Sequence, residues 1–327
     1  VNLLIYTIVK YWLTYLVTVI LLSVVFSLLL WFISPQEQRV STRPLSPLPD
    51  FLTLEKNNQV RILDLWEPII NAFHRGSPPA VTAESVLMYD LATQKTLYEK
   101  NSTMKLPMAS ITKIMTAIIA LENKKQDDSY YVKEEYLVGE NSMGLTSGEV
   151  LTLNELLYGL ILPSGNDAAE TIAGNFPTGR TGFIKAMNKK VEALGLKDTH
   201  FTNPSGLQGD GDQYTTAYDL LVLTEYALEN KTFKKVAETV TYEIPETTEH
   251  KAYTIQNETN LLTSYPGVKG VKTGYTPEAG LCLVTYLEYS EHKVIGVLLN
   301  SENRRQEMKE LLDYSLYSLN IKPPKHD

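Results

Sequence analysis

The feature that most constrains this chain is where its strand-like runs fall. Such runs cover Glu84–Asp90 and Lys95–Glu99, with Leu91-Ala92-Thr93-Gln94 between them, the pattern of a hairpin. Strand-like runs then disappear until Val268–Thr273, Leu281–Glu288 and Lys293–Leu299. The stretch between carries helical spacing instead, at Leu153–Leu162 (stopped by Pro163), Asp167–Ala173, Gly182–Leu194 and Thr216–Leu228. A last amphipathic run covers residues 302–319. Strands gathered at both ends, with helices between, argue against repeated βαβ units. They predict an α+β fold: an antiparallel sheet built from both ends of the segment, with flanking helices and a helical insertion.

Upstream of that segment, Tyr11–Ile33 carries no charge and is dominated by Leu, Val, Ile and aromatic residues. It is long enough to cross a bilayer as a helix. Tyr11, Trp12 and Tyr15 at one end, and Trp31 and Phe32 at the other, suit the two interfaces. The rival reading is a cleaved signal peptide. It fits less well, because the apolar run is too long and Trp31-Phe32-Ile33-Ser34-Pro35 offers no small-x-small cleavage site. Lys10 on one side and Arg39 and Arg43 on the other leave the orientation open. The expected organisation is a short flank at 1–10, a transmembrane anchor at 11–34, a spacer at 35–79, a catalytic domain at 80–322 and a tail at 323–327. Pro35, Pro44, Pro47 and Pro49 stiffen the spacer.

Chemistry concentrates in three short stretches. The first is Pro107-Met108-Ala109-Ser110-Ile111-Thr112-Lys113, where helical spacing begins. Positions three apart on a helix share a face, so Ser110 and Lys113 are expected to be neighbours. A serine beside a lysine makes a nucleophile and base, provided the amine can lose its proton. Alone, the pattern occurs often by chance and reads more readily as an N-cap serine and a solvated lysine. The second stretch is Pro163-Ser164-Gly165-Asn166-Asp167, which by composition is a turn. The third is Gly270-Val271-Lys272-Thr273-Gly274-Tyr275, on an expected strand.

In that order, Ser-x-x-Lys, Ser-x-Asn and Lys-Thr-Gly form the signature of penicillin-binding proteins and serine β-lactamases. Ser142-Met143-Gly144-Leu145, Asn203-Pro204-Ser205-Gly206-Leu207 and Thr215-Thr216-Ala217 narrow the match. From about residue 80 onward the chain resembles the serine D-Ala-D-Ala carboxypeptidases, the low-molecular-weight penicillin-binding proteins. The resemblance implies a β-lactamase/transpeptidase-like fold with the active site between the sheet edge and the helical part. It implies a hydrolase acting on peptidoglycan stem peptides that end in D-Ala-D-Ala, acylated by β-lactams, at the membrane of a bacterium with the catalytic domain outside the cytoplasm.

The same resemblance assigns roles. Ser110 is the nucleophile, and Lys113 its base. Ser164 relays a proton to the leaving nitrogen, Asn166 binds the Lys113 amine and the substrate amide, and Lys272 supplies positive charge. The backbone N–H groups of Ser110 and Tyr275 form the oxyanion site. Thr273 contacts the substrate carboxylate, Gly274 lets the substrate backbone approach, and Arg304, in preference to Arg305, helps hold that carboxylate. A free lysine titrates at about 10.4, so Lys113 needs burial and a second positive charge to work as a base.

Other classes fit poorly. The net charge of −8 gives no reason to expect a nucleic-acid partner. The five histidines are scattered, without the spacing of a metal-dependent peptidase, and neither metal nor cofactor is expected. Gly-x-Ser-x-Gly is absent. The single cysteine, Cys282, sits among Leu281, Leu283 and Val284 and reads as a buried strand residue. The alternatives are a serine β-lactamase, which commonly uses a glutamate to activate water, and a non-catalytic receptor for cell-wall peptides or β-lactams. No matching glutamate loop stands between Asn166 and Lys272, and none of the motif residues is missing.

Overall fold

The computed structural model describes residues 77–326, together with Trp12 and Ser23. The expected anchor at 11–34 and spacer at 35–79 therefore lie almost wholly outside the described residues, which include only Trp12 and Ser23 of the anchor, both helical and exposed, and 77–79 of the spacer. Among the described residues no helix is long and apolar enough to cross a membrane.

The chain opens with the expected hairpin, β1 (Ser85–Asp90) and β2 (Lys95–Lys100). A 3-10 turn at Ala109–Thr112 leads into α1 (Lys113–Glu122). Two short strands, β3 (Tyr130–Tyr131) and β4 (Val150–Leu151), pair with each other. Then come α2 (Leu153–Ile161), α3 (Asn166–Gly174), α4 (Gly179–Ala193) and α5 (Ala217–Glu229), close to their expected bounds. Thr152 opens α2 with a capping box: its hydroxyl accepts from the Glu155 N–H while the Glu155 carboxylate accepts from the Thr152 N–H. A further helix, α6 (Lys231–Ala237), and a hairpin of β5 (Thr241–Ile244) and β6 (Tyr253–Gln256) were not expected. A single turn, α7 (Leu261–Ser264), precedes β7 (Val268–Thr276), β8 (Gly280–Tyr289) and β9 (His292–Ser301), and α8 (Arg304–Ser318) closes the fold.

The main sheet has the order β2-β1-β9-β8-β7, antiparallel throughout. The first hairpin thus joins the last three strands through β1 and β9, as strand-like runs at both ends require. Successive side chains of a strand face opposite sides, and here both sides are buried. Leu87, Tyr89, Ile295, Val297 and Leu299 pack into the large core shared with the helices of the insertion. Val86, Met88, Val294 and Leu298 pack on Met308, Leu311 and Leu312 of α8. Cys282 is fully buried in the first of these cores. This leaves β7 on the sheet's edge, and its free side meets the 3-10 turn that holds Ser110.

Candidate active site

Ser110 lies one step outside the expected helix. It sits in the 3-10 turn, and the α-helix proper starts at Lys113. The turn still places residues three apart close together, so Lys113 Nζ is 2.9 Å from Ser110 Oγ. Ser110 is half-buried, whereas Lys113 is fully buried. Two further oxygens surround the amine: Asn166 Oδ1 at 2.7 Å and the Ser205 carbonyl at 2.6 Å. The Asn166 amide is oriented by its Nδ2, which donates to the Gly139 carbonyl at 3.4 Å.

That environment decides the direction of each hydrogen bond. A carbonyl and an amide oxygen can only accept, so both take protons from Lys113. A neutral amine has two N–H groups and one lone pair. In the neutral form that a base requires, both protons go to Asn166 and Ser205, so the lone pair is left for Ser110 and the serine O–H can donate to it. Burial holds the Lys113 pKa well below the usual lysine range, and the charge of Lys272 pushes it the same way, against the opposing pull of Glu258, Asp167 and Glu170. Lys272, on β7, is itself pushed down to about 8 by burial, with Arg304 adding to the effect and Glu258 opposing it. Its amine donates to the Thr273 carbonyl at 3.1 Å.

Two glycines bring the walls of the site onto the nucleophile's turn. Gly206 has φ +88°, and a Cβ there would lie 2.0 Å from the Ala109 carbonyl oxygen and 2.9 Å from the Ser110 nitrogen. A Cβ on Gly274 would lie 3.0 Å from the Met108 carbonyl oxygen and 3.2 Å from the Ser110 nitrogen. Gly274 was expected to admit the substrate backbone. The structure shows a task beside that one, admitting the backbone that carries Ser110.

Ser164 turns between α2 and α3 with φ +60°, an unusual conformation for a residue with a Cβ. Its Oγ is buried and has no hydrogen-bond partner among the described residues. A buried polar group left open in this way costs stability unless a ligand uses it. The neighbouring Asp167 is buried and ties down the adjacent loop: its carboxylate accepts from the N–H groups of Met143, Gly144 and Leu145 at 3.0, 3.1 and 2.9 Å. The same loop supplies the Asn141 carbonyl, which accepts the Asn166 N–H at 2.8 Å.

Arg304 is not free to face a ligand with its whole fork. Its Nη1 donates to the Gly274 carbonyl at 2.6 Å and, more weakly, to the Cys282 carbonyl at 3.4 Å. It braces β7 against β8, while Arg305 is exposed. Tyr275 is 61% exposed at the end of the same strand, and Thr273 is buried.

The structure therefore brings Ser110, Lys113 and Asn166 into direct contact and sets Lys272 within electrostatic reach of Lys113. Three contributors were missed. The Ser205 carbonyl stands in Asn203-Pro204-Ser205-Gly206-Leu207, a stretch visible in the sequence without an assigned task. Asp167 could have been suspected from its place beside Asn166. Glu258, whose Oε1 accepts from Asn141 Nδ2 at 3.0 Å and whose Oε2 accepts from Thr273 Oγ1 at 3.4 Å, gave no signal.

A buried lysine 2.9 Å from a serine hydroxyl, set between the edge of an antiparallel sheet and a helical lobe, defines an active-serine acyl-transfer enzyme of the penicillin-binding type. Comparison with known proteins agrees. The family model described as D-alanyl-D-alanine carboxypeptidase matches residues 72–303. The D-alanyl-D-alanine carboxypeptidase DacF of Bacillus subtilis is 34% identical over 258 residues, covering 76% of this chain and 66% of the Bacillus protein. The D-alanyl-D-alanine carboxypeptidase of Streptomyces sp. strain K15 is 33% identical over 256 residues, covering 72% of this chain and 88% of that protein. The crystal structure of the Streptomyces K15 DD-transpeptidase superposes with a TM-score of 0.70 at 32% identity, covering 74% of this chain and all of that one. The chain belongs to the D-alanyl-D-alanine carboxypeptidase family and is an enzyme of its serine class.

Proposed function

We propose that this protein is a membrane-anchored D,D-carboxypeptidase that removes the terminal D-Ala from peptidoglycan pentapeptide stems through an acyl-enzyme on Ser110. One observation carries the reading: a fully buried Lys113 amine 2.9 Å from the Ser110 hydroxyl, with Asn166 Oδ1 and the Ser205 carbonyl placed to take both protons of its neutral form.

Ser110 Oγ attacks the carbonyl carbon of the penultimate D-Ala as its proton passes to Lys113 Nζ. The developing oxyanion is met by the backbone N–H groups of Ser110 and Tyr275, which belong to the two segments packed together at Gly274. The open Ser164 hydroxyl gives its proton to the leaving nitrogen and takes up the one held by Lys113, the C–N bond breaks and D-Ala departs. Water then attacks the ester, the carboxylic acid of the shortened stem is released, and Ser110 regains its proton. The terminal carboxylate of the substrate is held by Thr273 in the positive field of Lys272, with Arg304 acting by holding the Gly274 carbonyl and adding charge. A β-lactam offers the same amide and carboxylate, so penicillin acylates Ser110.

The β-lactamase reading draws no support from the glutamates near the site. Both oxygens of Glu170 are held by Arg180, at 2.7 and 3.2 Å. The apolar Tyr11–Ile33 run supports an anchor, and a peptidoglycan substrate requires the catalytic domain outside the cytoplasm. The deciding experiment incubates the full chain in detergent with a peptide ending in Lys-D-Ala-D-Ala and assays free D-alanine. Release of D-alanine is the expected result. Penicillin labelling without any release would make the protein a receptor instead. Membrane fractionation, with mass spectrometry of the mature N-terminus, tests the anchor.

A further inference from the structure

We infer that Glu258 is a gate across the mouth of the site, holding in the free enzyme the place that the substrate's terminal carboxylate takes at Thr273. This rests on the reading of Thr273 as the partner of that carboxylate.

Glu258 joins the two walls of the site. On one side its Oε1 accepts from Asn141 Nδ2 at 3.0 Å, and Asn141 belongs to the loop that also holds Asn166. On the other side its Oε2 accepts from Thr273 Oγ1 on β7 at 3.4 Å. Its backbone is fixed beside the Ser164 turn, where its N–H donates to the Leu162 carbonyl at 3.0 Å. The Thr273 side chain is buried, whereas Glu258 is exposed and its three side-chain torsions let it swing into solvent.

A hydroxyl has one proton to donate, so Thr273 cannot serve two carboxylates at once. Two anions at one hydroxyl also repel. An incoming carboxylate must therefore displace Glu258, and the cost falls on binding. While the site is empty, Glu258 offsets the positive field of Lys272 and Arg304, whose charges it stabilises. A substrate whose leaving group lacks the carboxylate leaves Glu258 in place and bears no such cost. The gate thus narrows the enzyme's preference for an anionic leaving group below what Lys272 and Arg304 alone would give.

The test uses the full chain and a matched pair of acyl-D-Ala esters, one with a leaving group ending in a carboxylate and one with an N-methyl amide in its place. The readout is the ratio of kcat/KM for the anionic to the neutral ester, which cancels any change in the chemical step common to both. Glu258→Gln keeps the shape and removes the charge. It should raise that ratio about fivefold, through a lower KM for the anionic ester, the scale of an exposed charge pair. Glu258→Ala should do the same. An unchanged ratio in the Gln variant overturns the gate, and so does a rise in the Ala variant alone, since that would reflect space and not charge. Thr273→Val checks the underlying reading separately by erasing the preference for the anionic ester. If Thr273→Val does so while Glu258→Gln has no effect, the gate fails and the carboxylate site stands. If Thr273→Val leaves the preference intact, the carboxylate site fails and the gate with it.

Discussion

The backbone carbonyl of Ser205 lies 2.6 Å from the Lys113 amine, a contact between residues 92 positions apart. It gives the Ser205-Gly206 turn a chemical task as well as a structural one. With Asn166 it absorbs both protons of a neutral lysine and so orients the remaining lone pair. The nucleophile's activation thus depends on a loop that supplies no side chain to it.

If Ser110 forms the acyl-enzyme, Ser110→Ala should lose D-Ala release and covalent penicillin labelling together. Intact-mass spectrometry after incubation with penicillin reads the adduct directly. An adduct on the Ala variant would move the nucleophile elsewhere.

Lys113→Met should slow acylation by at least ~100-fold, the scale of a lost general base. It should also change how stability depends on pH. In the unfolded chain Lys113 titrates at about 10.4, whereas burial and Lys272 hold it well below its usual range in the folded protein. Between those two values the unfolded state carries a proton that the folded state lacks, so stability rises with pH. Below the folded value both states are protonated, and the full cost of charging a buried lysine remains. The native protein should therefore gain stability relative to Lys113→Met as pH rises towards about 10.4, at up to about 1.4 kcal/mol per pH unit, and level off above. Urea unfolding of both proteins between pH 7 and 11 measures this. A difference that does not change with pH would mean that Lys113 is charged in the folded protein.

Gly206→Ala places a methyl 2.0 Å from the Ala109 carbonyl oxygen in a backbone conformation that disfavours any Cβ. Neither side of the contact is a flexible side-chain tip, so the turn carrying Ser110 must shift. The expected result is a loss of about 3 kcal/mol by urea unfolding, with acylation falling further than the fraction still folded explains. Native stability and native acylation in this variant would show that the turn can yield without cost.

Much of this was legible because periodicity and order are properties of side chains. The main-sheet strands and the larger helices came from strand-like runs and helical spacing. Ser110 and Lys113 came from their separation only once Ser164-x-Asn166 and Lys272-Thr273-Gly274 followed in order. What escaped did so for identifiable reasons. The β5–β6 hairpin had a usable signal in Tyr242, Ile244, Tyr253 and Ile255, but a long polar connection from Pro245 to Ala252 hid the pairing. Helix α6 was announced by Asn230, whose side chain accepts from the N–H groups of Thr232 and Phe233. The Ser205 carbonyl could not be read at all, since every residue has one and only the fold selects it. Glu258 was equally silent, because an exposed acid looks like any solvated charge until Asn141 and Thr273 are seen on either side.

Ser164→Ala separates activity from stability. The native hydroxyl is buried without a partner, so removing it costs no hydrogen bond in the free protein and removes an unsatisfied group. Thermal stability should be equal or higher. D-Ala release should fall about 100-fold, since the leaving nitrogen loses its proton source. A variant that is less stable while retaining full activity would show that the hydroxyl serves the fold and not the reaction.

The acylation rate should follow a bell-shaped dependence on pH, with different lysines setting the two limbs. On the acid side, Lys113 must lose its proton before its lone pair can accept that of Ser110, so the rate rises with pH through its lowered pKa. On the alkaline side, the positive charge of Lys272 supports both the carboxylate of the substrate and the low pKa of Lys113. Burial pushes Lys272 down to about 8, so that charge is lost as pH rises through this value and the rate declines. Lys272→Arg keeps a charge that does not titrate in the accessible range. It should abolish the alkaline limb while leaving the acid limb in place, with a smaller loss of rate than Lys113→Met. Stopped-flow acylation by a fluorescent penicillin between pH 5 and 10 resolves both limbs. An alkaline decline near pH 8 that persists in Lys272→Arg would assign it to another group, and a rate independent of pH below 8 in the native protein would remove Lys113 as the base.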